Sequence, residues 1–110
     1  MTPRLKAGIF VRATIRRAEV AGASAYVVKK GTEESGAVIM AITNPGVSSY
    51  VLSQARRGDG ELVWVKPLGD APDQDKLRAW LDKQKKNDPD LWIVEIEDRQ
   101  GRTFVDEPVI

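Results

Sequence analysis

The stretch DPDLWIVEIED, residues 88–98, contains the clearest structural pattern in the chain. Pro89 marks the end of a helix, because the residue before a proline is pushed out of the α region. Residues 91–96 are mostly apolar and rich in β-branched and aromatic side chains, which predicts a buried strand. The stretch therefore predicts a corner from helix to strand, followed by an acidic strand end.

The same stretch is rich in carboxylates. They are Asp88, Asp90, Glu95, Glu97 and Asp98. On a strand, Glu95 and Glu97 point to the same face, about 6.6 Å apart, and two such groups can share a Mg²⁺ or Ca²⁺ ion. In the alternative interpretation, the aspartates cap the corner and the two glutamates face solvent beside basic residues of a neighbouring strand. The second interpretation is favoured, since Arg99 stands where a nuclease metal site would have a lysine. No cofactor is predicted.

The composition indicates one soluble globular domain over residues 1–110. Hydrophobic residues make up 42% of the chain and charged residues 30%, which is ordinary for a folded protein. The chain has no cysteine and no histidine, which excludes a thiol nucleophile, a thiolate or imidazole zinc site and a Ser-His-Asp relay. The absence of these catalytic and metal-binding side chains favours a protein that is not an enzyme. The net charge of +1 gives no general attraction toward nucleic acid.

The sequence predicts a cytoplasmic protein without a membrane span. No apolar run approaches the roughly 18 residues of a membrane helix. After Met1–Lys6, the arginines Arg12, Arg16 and Arg17 interrupt the stretch that would have to be the apolar part of a signal peptide.

Periodicity predicts a helix, four strands, a second helix and a fifth strand. The first helix covers residues 6–21, and the strands that follow cover 24–30, 37–43, 48–55 and 61–66. The second helix starts at the Asp-Ala-Pro-Asp sequence 70–73 and ends at 87–89, the fifth strand starts at Leu91, and 103–105 predicts a short return strand. The run 37–43 is apolar at successive positions, which predicts a strand in the middle of the sheet. The fold class is therefore α+β, with a mostly antiparallel sheet of about five strands, the first four in a meander, and both helices on one face.

Three arginines of the first helix are candidate binding residues, together with Glu95 and Glu97. Arg12 and Arg16 lie on its polar side, whereas Arg17 lies on its apolar row. Arg17 is expected either at the rim of the contact between helix and sheet or buried against Glu95 or Glu97. The three tryptophans occur in apolar patterns and are expected in the core. They are Trp64, Trp80 and Trp92.

Several motifs resemble a small family of alphaproteobacterial proteins that is recorded only as a domain of unknown function. The motifs are Pro3–Lys6, the pair Arg16-Arg17, Val27–Gly31 and Asp88–Arg99. The last is the most specific, and the likeness extends over nearly the whole chain. The resemblance implies a bacterial cytoplasmic protein of one domain, and it implies no activity, cofactor or catalytic residue.

Three functional hypotheses remain at this point. The leading one is a small non-enzymatic protein that binds a protein partner, most simply a second copy of itself, because the first helix has a wide apolar face. The second is a nucleic-acid-binding module that uses Arg12, Arg16 and the cluster of Lys83, Lys85 and Lys86. The third is a carboxylate-metal enzyme built on Glu95 and Glu97.

Overall fold

The protein folds into a five-stranded sheet with one helix on each face. The computed structural model describes residues 6–110; residues 1–5, which hold most of the Pro3–Lys6 motif and the start of the segment compared with a signal peptide, lie outside the described residues. The elements are α1 (Ala7–Val20), β1 (Ser24–Lys29), β2 (Val38–Asn44), β3 (Ser48–Arg56), β4 (Leu62–Val65), α2 (Gln74–Asn87) and β5 (Trp92–Glu97). This order confirms the predicted α+β class and sequence of elements.

The strand order is β1-β5-β2-β3-β4, so the last strand of the chain is inserted between the first two. β5 pairs antiparallel with β1 and parallel with β2. The prediction that β1 pairs with β2 in a four-strand meander is therefore wrong, and the meander consists of β2, β3 and β4. The central position predicted for β2 is confirmed.

The two helices lie on opposite faces of the sheet, which corrects the prediction that they share one face. Alternate residues of β2 belong to two separate clusters. Met40 packs in the cluster that includes Val11 of α1, whereas Ile39 packs in the cluster that includes Leu77 of α2. The physical reason is that successive strand side chains point to opposite faces, so a strand that is apolar at every position needs cover on both.

Local capping explains where α2 begins and ends. The Asp73 carboxylate accepts hydrogen bonds from the amides of Asp75 and Lys76, at 2.8 and 3.3 Å, as expected of an N-cap. The helix ends at Asn87, before Asp88 and Pro89. Neither helix of the described part of the chain is long and apolar enough to cross a membrane.

The predicted return strand at residues 103–105 is absent from the fold, where these residues form no strand. Phe104 has a φ of 60°, in the left-handed region, and this interrupts the extended conformation that a strand requires. The chain instead runs on to the outer side of β4. There the amide of Trp64 donates to the carbonyl of Pro108, and the amide of Ile110 donates to the carbonyl of Trp64.

The three tryptophans lie in the two core clusters, as predicted. Trp64 and Trp92 are buried on the α1 side of the sheet, and Trp80 is half-buried on the α2 side. Both buried indoles have hydrogen-bond acceptors, and that of Trp92 is the carbonyl of Thr32 at 2.8 Å.

The loop between β1 and β2 encloses the start of β5. The amide of Thr32 donates to the carbonyl of Asp90 at 3.0 Å, and the amide of Trp92 donates to the carbonyl of Ala37 at 2.8 Å. Gly31 and Gly36 lie so close that a Cβ atom at either position would collide with the carbonyl oxygen of Asp90 and come within 2.7 or 2.9 Å of the Trp92 ring. Glycine is therefore required at both positions by the close approach of the loop to β5.

We predict that Gly31→Ala and Gly36→Ala each lower the free energy of unfolding by about 1–3 kcal/mol, because a backbone carbonyl cannot move away as a flexible side chain can. Gly58→Ala is the control, since an added methyl group there has no atom within 4 Å. This control should be neutral or slightly stabilising, by about 0.4–1 kcal/mol. Urea denaturation followed by tryptophan fluorescence provides the measurement. Equal effects in all three variants would contradict the steric explanation.

Candidate functional site

β1 forms an open edge of the sheet, and it carries exposed apolar side chains. Within residues 6–110 its only strand partner is β5. Tyr26, Val27 and Val28 are 52%, 39% and 43% exposed. An unpaired strand edge offers a row of backbone donors and acceptors to another chain. The β1 edge is therefore a candidate site for adding a strand.

The two ends of β1 differ in shape. The register with β5 shifts between Val27 and Lys29, so the second half of the strand is irregular. Such bulges and lysines are means by which proteins protect a sheet edge. The Lys29 ammonium group folds back and donates to the carbonyls of Pro89 and Leu91, at 2.7 and 2.9 Å. Regular pairing to another strand is therefore confined to residues 24–27.

Beside β1, the face of the sheet that carries α2 continues as a polar surface, which we call the acidic shelf. The strand registers place its side chains in two rows across β1, β5, β2 and β3. The first row starts with Tyr26 and Glu95. The second row consists of Ser24, Glu97, Thr43 and Ser49. Ser49 and Thr43 are joined by a hydrogen bond of 3.2 Å between their hydroxyl groups.

Tyr26 and Glu95 are electrostatically coupled on this shelf. The pKa of the Tyr26 hydroxyl is raised above its ordinary value, chiefly because hydrogen bonding to the Glu95 carboxylate favours the neutral phenol; burial and the charges of Glu95 and Glu97 add to the effect. Tyr26 therefore remains protonated and can donate a hydrogen bond. The two carboxylates give the shelf a negative potential next to the open edge.

The candidate arginines lie on α1, on the opposite face of the sheet from Glu95 and Glu97. Arg12 donates to Glu33 of the loop between β1 and β2, at 2.6 Å. Arg17 pairs with Asp106 at 2.9 Å, and its side chain is 41% exposed, so it lies at the rim rather than buried against Glu95 or Glu97. Arg16 is exposed on the same helix. The two predicted sets of binding residues therefore do not converge.

The acidic residues do not gather into a metal centre in residues 6–110, where no group of three or more Asp or Glu side chains could hold an ion. Glu95 and Glu97 share the shelf as a pair only. Another glutamate pair, Glu33 and Glu34 in the loop between β1 and β2, contacts Arg12 and Lys6, at 2.6 and 3.6 Å. Glu33 and Glu34 thus have basic partners within the chain.

The ion pair with the most buried carboxylate in residues 6–110 was not predicted from the sequence. Asp98 is buried just after β5, and its carboxylate accepts from the Arg102 guanidinium at 2.9 and 3.0 Å and from the Arg102 amide at 2.8 Å. The bond to the Arg102 side chain is the main reason that the pKa of Asp98 is lowered to about 2. Arg102 also donates to the carbonyl of Ala21 at the end of α1. The sequence signal that could have predicted this pair is an Asp and an Arg four residues apart around Gly101. The pair connects the turn after β5 to the end of α1.

Residues 5–106 match the family described as "Protein of unknown function (DUF1491)". The chain belongs to the DUF1491 family. This confirms the resemblance to a domain of unknown function that the Asp88–Arg99 motif indicated. No curated protein matches the chain.

Solved structures of DUF1491 proteins show the same fold. A crystal structure of a DUF1491 family protein from Caulobacter crescentus CB15 is 42% identical, with a TM-score of 0.90, and the match covers 97% of this chain and 100% of that one. An NMR structure of a DUF1491 family protein from the same organism is 41% identical, with a TM-score of 0.89 and 99% coverage of both chains. The solution structure of protein Atu0922 from A. tumefaciens is 31% identical, with a TM-score of 0.72 and 87% coverage of both.

We predict that the Asp98–Arg102 pair makes stability depend on pH in the acid range. Because the folded-state pKa of Asp98 lies below its ordinary value of 3.8, the pair stabilises the fold fully above that value. Its contribution should be lost as the pH falls from 3.8 to about 2. The difference in free energy of unfolding between the wild type and Asp98→Asn, measured in urea, should therefore be large near about pH 7 and shrink below about pH 4.

The control for this prediction is Asp82→Asn, which removes a carboxylate from the exposed surface of α2. All other acidic groups are common to the variants being compared, so their titration cancels in the difference. A difference for Asp98→Asn that stays constant down to the acid limit of folding would contradict the assignment.

Proposed function

We propose that this DUF1491 protein is a non-enzymatic binding protein that forms a homodimer through the β1 edge. The observation that carries the proposal is the contrast between the two edges of the sheet. The outer side of β4 is paired with residues 108–110, whereas β1 is open and exposes Tyr26, Val27 and Val28. Exposed apolar side chains on an unpaired edge favour association with another strand.

The charges along β1 support a second copy of the chain as the partner. The first half of the strand lies beside the acidic shelf, with Ser24 opposite Glu97 and Tyr26 opposite Glu95. The strand is followed by the exposed Lys30. A twofold antiparallel pairing of two β1 strands brings the acidic end of each copy to the basic end of the other. A dimer with twofold symmetry requires a surface that is complementary to itself in this way.

The apolar face of α1, which first suggested a dimer, is occupied within the chain. Val11 and Ala18 are buried in the core against the sheet. The exposed large apolar residues of this helix are Ile9 near its start and Val20 at its end. The proposed interface is therefore β1 and not α1.

The two alternative functions receive less support from the geometry. The basic residues considered for nucleic acid lie on α1 and α2, on opposite faces of the sheet, so they do not form one surface for a phosphate backbone. A carboxylate-metal enzyme would need further ligands beside Glu95 and Glu97, and residues 6–110 provide no such group. The cytoplasmic location stays a prediction from the sequence.

We predict that Val27→Lys weakens self-association by roughly tenfold or more, because a lysine in the paired part of an edge strand must lose its hydration when a second strand adds. Val47→Lys is the matched control, since Val47 is 75% exposed in the turn between β2 and β3. Sedimentation velocity over a concentration series measures the dissociation constant. A wild-type protein that remains a monomer throughout the series would refute the homodimer.

We also predict that reversing charge at both ends of β1 is compensated. Lys30→Glu and Glu97→Lys should each weaken the dimer, because each places like charges at both ends of the twofold interface. The double variant should recover most of the loss, and Lys83→Glu on α2 should have no effect. If the double variant is as weak as the sum of the single variants, the antiparallel arrangement is wrong even where the wild type is a dimer.

A further inference from the structure

The outer edge of β4 is covered by the last described residues of the chain. Trp64 and Val109 form an isolated parallel bridge. Two backbone hydrogen bonds hold it: the Trp64 amide donates to the Pro108 carbonyl at 2.8 Å, and the Ile110 amide donates to the Trp64 carbonyl at 2.9 Å. We call residues 106–110 the strap. It satisfies backbone groups of β4 that would otherwise be open to pairing.

Two side chains anchor the strap. The indole nitrogen of Trp64 donates to the Glu107 carboxylate at 3.0 Å, and Phe10 of α1 stacks on the Trp64 ring with centroids 5.9 Å apart. The second anchor is the pair of Asp106 with Arg17, in which the Asp106 side chain is 79% exposed. An ion pair this exposed contributes little to stability, so the indole bond is the main side-chain anchor.

Other features indicate that the strap is attached weakly. Glu107 is the one strap residue in the lining of a cavity of about 50 Å³, which is otherwise formed by α1, the loop before β2 and the strands β2, β3 and β4. Val109 and Ile110 are 39% and 63% exposed, so they bury only part of their apolar surface. The strap is reached through Phe104, whose positive φ is unfavourable for a residue with a side chain.

We infer that the β4 edge and the Phe10–Trp64 pair form a strand-addition site whose occupant is the strap of the same chain. Occupation of this site leaves β1 as the open edge. A sheet with two open edges at opposite ends can pair edge to edge without closing, which gives chains of molecules instead of a dimer. The strap therefore limits assembly. This inference goes beyond the proposed dimer and does not depend on it, because the occupied β4 edge belongs to a single chain.

The strap can be deleted from the protein and supplied again as a separate peptide. A variant that ends at Val105 is mixed with a fluorescent peptide of residues 103–110, TFVDEPVI. The variant should bind this peptide saturably in fluorescence anisotropy, and a peptide of the same composition in reversed order should bind roughly tenfold more weakly or worse. The full-length protein should bind neither peptide, because its site is filled.

The same variant should form species larger than those of the full-length protein at equal concentration, and excess TFVDEPVI peptide should reverse this growth. A folded variant that neither binds the peptide nor changes in size would overturn the inference. A full-length protein that remains a monomer would refute the proposed dimer but not the inference about the strap. In that case, binding of the TFVDEPVI peptide to the shortened variant would still test whether the β4 edge is a strand-addition site.

A second measurement applies if the shortened variant does not fold. In the full-length protein, Glu107→Ala removes the indole anchor and keeps every backbone group of the strap. Hydrogen exchange of the Trp64 amide, which donates to Pro108, should accelerate by roughly tenfold, while amides between β2 and β3 exchange as before. Glu61→Ala, at an exposed glutamate just before β4, is the control. Unchanged exchange of the Trp64 amide in Glu107→Ala would contradict a strap held at this anchor.

Discussion

The insertion of β5 between β1 and β2 is the constraint on which the rest of the structure depends. β5 makes both the antiparallel pairing with β1 and the parallel pairing with β2, so without it β1 would have no place in the sheet. Trp92 fixes the insertion, because its amide and its indole nitrogen bind two carbonyls of the loop that crosses the start of the strand. Gly31 and Gly36 allow that loop to lie directly on the Asp90 carbonyl. Trp92, Gly31 and Gly36 thus hold β5 in its position between two strands that lie far from it in the sequence.

This insertion also decides which charges can meet. Side chains of β5 alternate between the two faces, so Trp92, Val94 and Ile96 enter the α1 cluster while Glu95 and Glu97 face the other side. Arg12 and Arg17 of α1 consequently pair with carboxylates of the loop and the strap, at Glu33 and Asp106. The acidic shelf is left beside the first half of β1, and the exposed Lys30 follows the other end of this strand. This distribution is the reason that the proposed dimer pairs two β1 strands in the antiparallel direction.

The sequence predicted the elements well because their causes are local. The Pro89 stop and the apolar patterns of the strands act over a few residues, and both lie close to where they were predicted. The start of α2 was predicted within residues 70–73, and Asp73, at the end of that sequence, is the residue that caps the helix. The position of β5 depends on contacts between distant segments, such as the fit of Gly31 against Asp90, which no periodicity expresses. Similarly, the partner of Arg17 is Asp106, which lies far along the chain. The predicted strand at residues 103–105 is interrupted by the positive φ of Phe104, which the apolar pattern of the side chains does not reveal. Of the candidate site, the carboxylate pair could be predicted from its spacing, whereas the open edge beside it could not.

The two edge strands, β4 and β1, differ in how their outer sides are covered, and this difference bears on function. At β4 the chain supplies its own strand, held by the Trp64 indole and two backbone bonds. At β1 the protection is partial, since the bulge affects the second half of the strand only. If both edges had to be protected only against aggregation, cover would be expected on both. Within the described residues only β4 is covered along its outer side, which agrees with the proposal that β1 binds a partner.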